Sequence, residues 1–201
     1  MRKSLVLATL FVVMCSAAAF AGVPDPSRSA CSVSAPPTGC QYRFNASGGL
    51  DTLTLTVTLR DAFDAPVANC STTVTLDNAS LVVCNCCPDQ LTGSTNANGI
   101  VTFNINQLGG RGSVDVNVTA NCTGNIAICS NTINFTSPDL NASCEAGSST
   151  NVIDLGVFAG CLPPSPYCVE SDYSCDGTVN VVDLGLFASG LNSGCGSGVC
   201  P

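Results

Sequence analysis

One ten-residue segment occurs twice near the end of the chain, and it restricts the fold more than any other feature. The segment NVIDLGVFAG at residues 151–160 returns 29 residues later as NVVDLGLFAS at residues 180–189, with seven identical positions. In each copy an acidic residue interrupts an apolar run. Repetition of this kind indicates two copies of one small supersecondary unit.

The apolar residues of each copy recur at the spacing of one helical face. We therefore predict two short helices whose apolar faces pack together as a small core. The glycines at 156 and 185 weaken each helix by about 1 kcal/mol relative to alanine. The predicted core residues are Leu155, Phe158, Ala159, Leu162, Leu184, Phe187, Ala188 and Leu191.

The first 21 residues have the pattern of a secretory signal peptide. Arg2 and Lys3 precede an apolar stretch, and Ala19-Phe20-Ala21 forms a small-residue cleavage site. The apolar stretch is too short for a membrane anchor. We expect residues 1–21 to be removed and the remaining chain to be secreted, extracellular or at the cell surface, without membrane insertion.

Fourteen of the fifteen cysteines follow residue 21, eight before Pro138 and six after it. In an exported chain an even number of cysteines at this density predicts disulfides. The alternative, a thiolate metal site at Cys84-Asn85-Cys86-Cys87, lacks the paired knuckles or histidines of zinc sites, and the chain has no histidine. We predict two separately cross-linked units, residues 22–138 and 139–201, with no disulfide between them.

The nearest cysteines give a first prediction of the pairing. We expect one further disulfide to join the two copies of the repeat. The predicted pairs are Cys31–Cys40, Cys122–Cys129, Cys161–Cys168, Cys195–Cys200 and, between the copies, Cys144–Cys175.

Residues 22–138 show the alternation of short β-strands. Leu53, Leu55, Val57 and Leu59 alternate with threonines, the period of a half-buried strand. Further short apolar alternations are separated by turn signals rich in Asn, Asp, Gly and Pro. The fold class predicted is mainly β, an antiparallel β-sandwich followed by a small α-helical unit.

Two segments of this region carry a resemblance. LTVTLRDAFDAPVAN followed by STNANGIVTFNI resembles the bacterial immunoglobulin-like domains of adhesins and surface proteins. Asn98-Gly99 is the tight-turn pair expected in the second segment. The resemblance implies an immunoglobulin-like sandwich over residues 22–138, and it implies little about function because sandwiches serve many roles.

The twelve residues ending at Asp183, DYSCDGTVNVVD, have the pattern of a calcium loop. Oxygen-bearing side chains stand at positions 1, 3, 5, 9 and 12, glycine stands at the bend of position 6, and position 7 would offer its backbone carbonyl. The alternative is an ordinary exposed turn, which uses the same residue types. The candidate calcium ligands are Asp172, Ser174, Asp176, Thr178, Asn180 and Asp183.

This loop, followed by LGLFASGL and repeated once, resembles the dockerin family. The resemblance implies two calcium-loop-plus-helix repeats over residues 139–201 and docking to a cohesin-type partner or another surface protein. It also implies a link to polysaccharide-degrading or cell-surface assemblies, in which polysaccharide is met only indirectly. In dockerins, loop positions 10 and 11 help to choose the partner; here they are Val152, Ile153, Val181 and Val182.

The first loop departs from the twelve-residue pattern. Asn151 and Asp154 match positions 9 and 12, but the residues before them are too many. One alignment begins at Asp139 and gives Asp139, Asn141 and Ser143; the other aligns Cys144 with Cys175 and gives Asn141, Ser143 and Glu145. Neither has glycine at the bend, so we expect the first calcium site to be weak, unoccupied or replaced by a disulfide.

Charge and composition exclude several function classes. Residues 139–201 contain seven acidic residues and no basic one, and residues 22–201 contain four arginines and no lysine. Such a chain is not expected to bind nucleic acid, which requires Lys and Arg. Without histidine it lacks the usual general base of nucleophilic catalysis. We predict a non-catalytic interaction protein. The alternative is a carbohydrate-binding or adhesin-type surface module in which the C-terminal repeats are only structural, although the chain has no tryptophan and only three tyrosines to stack on sugars.

Overall fold

The computed structural model describes residues 22–45, 50–77, 83–85, 90–141 and 150–191, with the backbone alone at 83–85. The predicted signal peptide lies outside these residues. The described part of the chain is mainly β, as predicted, with two short helices and one 3-10 turn at Val169–Ser171. The strands are β1 (Ala30–Val33), β2 (Tyr42–Arg43), β3 (Leu53–Thr58), β4 (Ser71–Asp77), β5 (Val83–Asn85), β6 (Gln90–Ser94), β7 (Ile100–Ile105), β8 (Leu108–Ala120) and β9 (Ile126–Thr136), and the helices are α1 (Val152–Ala159) and α2 (Val181–Ser189).

The strands form two sheets. The smaller sheet has the order β1-β3-β7 with antiparallel pairs. The larger sheet has the order β2-β9-β8-β4-β6, and β5 pairs with β8 beside it. The short β2 runs parallel to β9, whereas the other neighbours in this sheet are antiparallel.

The two sheets enclose one hydrophobic core, which we call the β core. Leu53, Leu55 and Val57 of β3 are fully buried, while the threonines between them are partly exposed. They belong to the same cluster of buried residues as Val116 and Val118 of β8. The alternation read from the sequence is thus confirmed, because the period of two places every second side chain between the sheets.

The turn predicted at Asn98-Gly99 is also confirmed. The Gly99 N–H donates to the carbonyl of Asn96 at 2.9 Å, and Gly99 has φ +73°. A Cβ on Gly99 would lie 2.5 Å from the carbonyl oxygen of Leu59 and 3.0 Å from the nitrogen of Val67. Glycine is required here both by the backbone angle and by this close approach.

A second, smaller cluster of buried side chains lies in the C-terminal part and shares no residue with the β core. It contains Leu140, Phe158, Cys161, Tyr173, Val179 and Phe187. The helical-face prediction is correct for Phe158 and Phe187, whose rings are 5.2 Å apart and fully buried. It is wrong for four residues that are exposed, because loop residues such as Tyr173 and Val179, rather than further helix residues, complete the cluster. These four are Leu155, Ala159, Ala188 and Leu191.

Four disulfides join described residues, and one of the predicted pairs is among them. Cys161–Cys168 is confirmed. The pairs Cys31–Cys40, Cys122–Cys129 and Cys144–Cys175 are wrong, and Cys195–Cys200 lies outside the described residues. The observed pairs besides Cys161–Cys168 are Cys31–Cys129, Cys40–Cys175 and Cys70–Cys122.

The disulfide between Cys40 and Cys175 contradicts the prediction of two separately cross-linked units. It joins the segment before β2 to the twelve-residue loop, across a sequence separation of 135. Sequence proximity failed as a guide because β1 and β9 belong to different sheets that pack face to face, which brings Cys31 to Cys129. This disulfide content fits an extracellular or surface protein. Neither described helix is both long and apolar enough to cross a membrane.

Candidate metal centre

The repeated N-x-x-D sequence begins each helix. Asn180 is the N-cap of α2, and its side-chain oxygen accepts the Val182 N–H at 2.7 Å. Asp183 completes a capping box by accepting the Asn180 N–H through Oδ2 at 2.9 Å. This arrangement satisfies two N–H groups that a helix start leaves unpaired. It also fixes the carboxylate of Asp183 at the end of the loop.

The loop before α2 brings three carboxylates together. One carboxylate oxygen from each of Asp172, Asp176 and Asp183 lies within 4.8 Å of the others. Two oxygens that bind one calcium ion at about 2.3–2.6 Å can lie at most about 5 Å apart. The cluster therefore has the dimensions that a shared calcium ion requires. We call Asp172, Asp176 and Asp183 the carboxylate cluster.

Backbone N–H groups hold the cluster in place. Asp172 accepts the Gly177 N–H through Oδ2 at 2.8 Å and the Asp176 N–H through Oδ1 at 3.2 Å. Gly177 has φ +87°, so glycine at position 6 serves the sharp bend that the sequence pattern predicted. Asp183 accepts the Ser174 N–H through Oδ1 at 2.8 Å. The loop thus folds around the carboxylates of its first and last positions.

The remaining predicted ligands surround the cluster. The Ser174 hydroxyl donates to Asp172 Oδ1 at 3.2 Å, and the Thr178 hydroxyl donates to Asp176 Oδ1 at 2.8 Å. The Asn180 amide donates to Asp176 Oδ2 at 3.1 Å. The side-chain oxygen of Asn180 accepts the Val182 N–H, so position 9 does not direct this oxygen at the carboxylates.

The cluster combines burial with a lack of opposing charge. Asp172 and Asp183 are 1% and 0% exposed. Among the described residues, the one ion pair joins Arg43 to Asp51. Both lie in residues 22–138, which we call the β part of the chain. Buried carboxylates are costly unless hydrogen bonds and a cation offset the lost hydration. Hydrogen bonds are present in the loop, and a cation would complete the compensation.

Two pKa shifts reflect the hydrogen bonds around the carboxylate cluster. The hydrogen bond that Tyr167 donates to Asp172 Oδ2 at 2.8 Å raises the pKa of Tyr167 to about 12. The hydrogen bonds from the hydroxyl and then the N–H of Thr178 lower the pKa of Asp176. Asp176 is therefore held in its charged form at the exposed side of the cluster.

The first loop reproduces half of this geometry. Asp154 accepts the Asn141 N–H at 2.9 Å and the Asn151 N–H at 2.8 Å, as Asp183 does with Ser174 and Asn180. The pairing of Asn141 with Asp154 matches the alignment that begins at Asp139, which is fully buried. Ser143 and Glu145 lie outside the described residues. Within the described ranges, the carboxylates of the first loop do not form a second three-carboxylate cluster.

Four residues contribute to the two loops in ways that were not predicted from the sequence. The capping role of Asn151 and Asn180 was readable, since Asn followed three residues later by an acidic residue is a known helix-start pattern. The hydrogen bond from Tyr167 could not be predicted, because no sequence pattern indicates the partner of an exposed tyrosine in a proline-rich segment. The same is true of Gln41, whose Nε2 donates to the carbonyl of Asp172 at 3.2 Å from another part of the fold.

Comparisons with known proteins do not assign the chain to a family. No protein-family model matches the chain. No curated protein matches it either. Among solved structures it is similar to the Yersinia pseudotuberculosis adhesin InvE, with a TM-score of 0.36 and 23% identity. The match covers 58% of this chain and 28% of the adhesin chain, so this chain spans less than a third of that protein.

Proposed function

We propose that this chain is a secreted, non-catalytic interaction protein in which an immunoglobulin-like sandwich carries a dockerin-like, calcium-binding C-terminal unit. One observation carries the proposal: the carboxylates at loop positions 1, 5 and 12 converge within 4.8 Å. Two of these carboxylates, Asp172 and Asp183, are buried. An ordinary exposed turn would leave these carboxylates in water and would have no reason to bring them together.

The chemistry of the donors favours calcium over other metals. Every donor in the loop is an oxygen, and hard cations such as calcium and magnesium prefer oxygen ligands. Cys175 is bonded to Cys40, so it offers no thiolate for zinc. A twelve-residue loop with six ligand positions can supply the large coordination number of calcium, whereas magnesium keeps several waters and demands a tighter octahedron.

The proposal is tested by calcium calorimetry on two matched variants. Asp183→Asn and Asp154→Asn each replace a fully buried residue at a helix start. Each residue accepts one hydrogen bond from the N–H of the helix N-cap and one from the N–H of the third loop position. The capping loss is therefore equal in both. We expect Asp183→Asn to raise the Kd for calcium at least about tenfold, or about 1.4 kcal/mol, and Asp154→Asn to raise it less. Equal binding by both variants and the wild type would contradict the proposal.

The partner surface proposed lies at the starts of the two helices. Val152 and Val181 occupy equivalent positions and are each 77% exposed, and their neighbours Ile153 and Val182 are 60% and 55% exposed. Four large apolar side chains at repeated positions favour a protein interface. The proposed partner is a cohesin-like or other surface protein, and contact with polysaccharide would be indirect, through that partner.

A second experiment tests this surface separately from the metal. The protein is immobilised and exposed to the secreted fraction of its source organism, first with calcium and then with chelator. We expect one bound protein that chelator releases and that Val181→Ser/Val182→Ser fails to retain. Phe63→Ser is the matched control, because Phe63 is a large apolar residue that is 80% exposed in the β part. Equal loss in the control would contradict a surface at the helix starts.

A further inference from the structure

The calcium loop proposed above lacks the entering helix of a complete helix–loop–helix unit. In its place stands the three-residue 3-10 turn Val169–Ser171. A loop of twelve residues with a helix on one side alone pays more conformational entropy when it closes around an ion. Some other part of the molecule must hold the first half of the loop if its affinity is to be useful.

The segment before β2 contacts that first half at two places. Cys40 is bonded to Cys175, which stands between the predicted ligands Ser174 and Asp176. Gln41, 3% exposed, donates through Nε2 to the carbonyls of Val169 at 2.9 Å and of Asp172 at 3.2 Å. One contact is covalent and the other is a pair of buried hydrogen bonds, and both act on residues next to or within the carboxylate cluster.

The end of β9 supports the same half of the loop. The Thr136 hydroxyl donates to the carbonyl of Glu170 at 2.5 Å. The buried Tyr173 donates its hydroxyl to the carbonyl of Ser137 at 3.0 Å. These contacts place the loop entry against the β part, but neither involves a residue of the carboxylate cluster.

We propose that Cys40 and Gln41 are positioning residues of the calcium loop, so that the β part of the chain replaces the missing entering helix. This inference rests on the proposed calcium function. Cys40 fixes Cys175 and thereby the spacing of Ser174 and Asp176. Gln41 fixes the backbone of Asp172, whose carboxylate is the first ligand. Calcium affinity therefore depends on the Cys40–Cys175 disulfide and decreases when that disulfide is removed.

Calcium titration of the full-length exported chain tests the proposal, with the metal alone as the probe. Cys40→Ala/Cys175→Ala removes the disulfide without leaving a thiol, and Gln41→Leu removes the two hydrogen bonds while the disulfide stays. We expect each to raise the Kd at least about tenfold, the effect of ordering one more backbone residue on binding. The matched control is Cys31→Ala/Cys129→Ala, which removes a disulfide between the two sheets; its Kd should stay within about twofold of wild type.

The outcomes separate this inference from the function on which it rests. All Kd values are measured well below the melting temperature of each variant, so that lost fold stability alone does not change them. Wild-type binding with unchanged Kd in Gln41→Leu and in Cys40→Ala/Cys175→Ala would overturn the positioning role and leave the calcium site intact. An equal rise in the Cys31→Ala/Cys129→Ala control would also overturn it. Absence of binding by the wild type would overturn both proposals.

Discussion

Replacing Gly190 by alanine should destabilise the protein, because this residue lies against the β part of the chain. Gly190 ends helix α2 with φ −94°, so alanine causes no backbone strain there. Its Cβ would, however, lie 2.3 Å from Cγ and 2.6 Å from Cβ of Pro138. A proline ring cannot rotate away, so the helix end must move by about 1 Å to restore ordinary contact.

The expected size follows from two opposing effects. Overpacking of this kind lowers the free energy of unfolding by about 1–3 kcal/mol. Alanine raises it by about 0.4–1 kcal/mol, because the unfolded chain has less conformational entropy with alanine than with glycine. The net loss of about 1–2 kcal/mol lowers the melting temperature by about 2–8 °C in a protein of this size. The assay is thermal unfolding followed by circular dichroism in calcium-free buffer.

Gly160→Ala is the control for this substitution. Gly160 ends helix α1 with φ −64°, and its added Cβ would meet backbone oxygens no closer than 3.3 Å. We expect this variant to melt within about 2 °C of wild type. If Gly190→Ala is as stable as Gly160→Ala, then the end of α2 does not pack against Pro138 of the β part as the structure has it.

Two further predictions concern helix α2 and the tyrosine beside the loop. Gly185→Ala should raise the melting temperature by about 2–4 °C, because a Cβ there meets no atom within 4 Å and alanine favours a helix by about 1 kcal/mol; a lower melting temperature would contradict the open surface. The pKa of Tyr167 is raised from 10.0 to about 12, so its protonated form stabilises the fold, fully below pH 10 and progressively less up to pH 12. Difference absorbance against Tyr167→Phe should therefore show phenolate forming near pH 12 in calcium-free protein; formation near pH 10 would exclude the hydrogen bond to Asp172.

Local patterns in the sequence predicted the elements well. The alternation of leucine and threonine in β3 and the Asn98-Gly99 turn are governed by neighbouring residues, and both are present in the structure. The two helices also lie on the two copies of the repeat, but they begin at Val152 and Val181, three residues before the first predicted helical residues, because Asn and Asp three residues apart satisfy their first N–H groups. Such features depend on a few consecutive residues, which a sequence displays directly.

Contacts between distant segments were not predictable in the same way. The pairing of cysteines depends on how the sheets stack, and proximity in sequence carried no information about Cys40 and Cys175. The packing of Gln41 against the loop depends on the same arrangement. For the candidate site, the sequence predicted which loop residues carry oxygen atoms at the ligand positions. The structure added the burial of Asp172 and Asp183. Burial is a property of the whole fold, so no twelve-residue pattern can supply it.

The most direct test of the central claim is a crystal structure of the protein grown in several millimolar calcium, with anomalous diffraction to identify the metal. We predict one anomalous peak about 2.3–2.6 Å from carboxylate oxygens of Asp172, Asp176 and Asp183. Asp183 accepts hydrogen bonds from the N–H groups of Ser174 and Asn180 at 2.8 and 2.9 Å. Each of these should either remain or be replaced by a bond from the same carboxylate oxygen to the metal, and α2 should not move. A well-ordered loop with these three carboxylates and no anomalous peak between them would contradict the claim that residues 172–183 bind calcium.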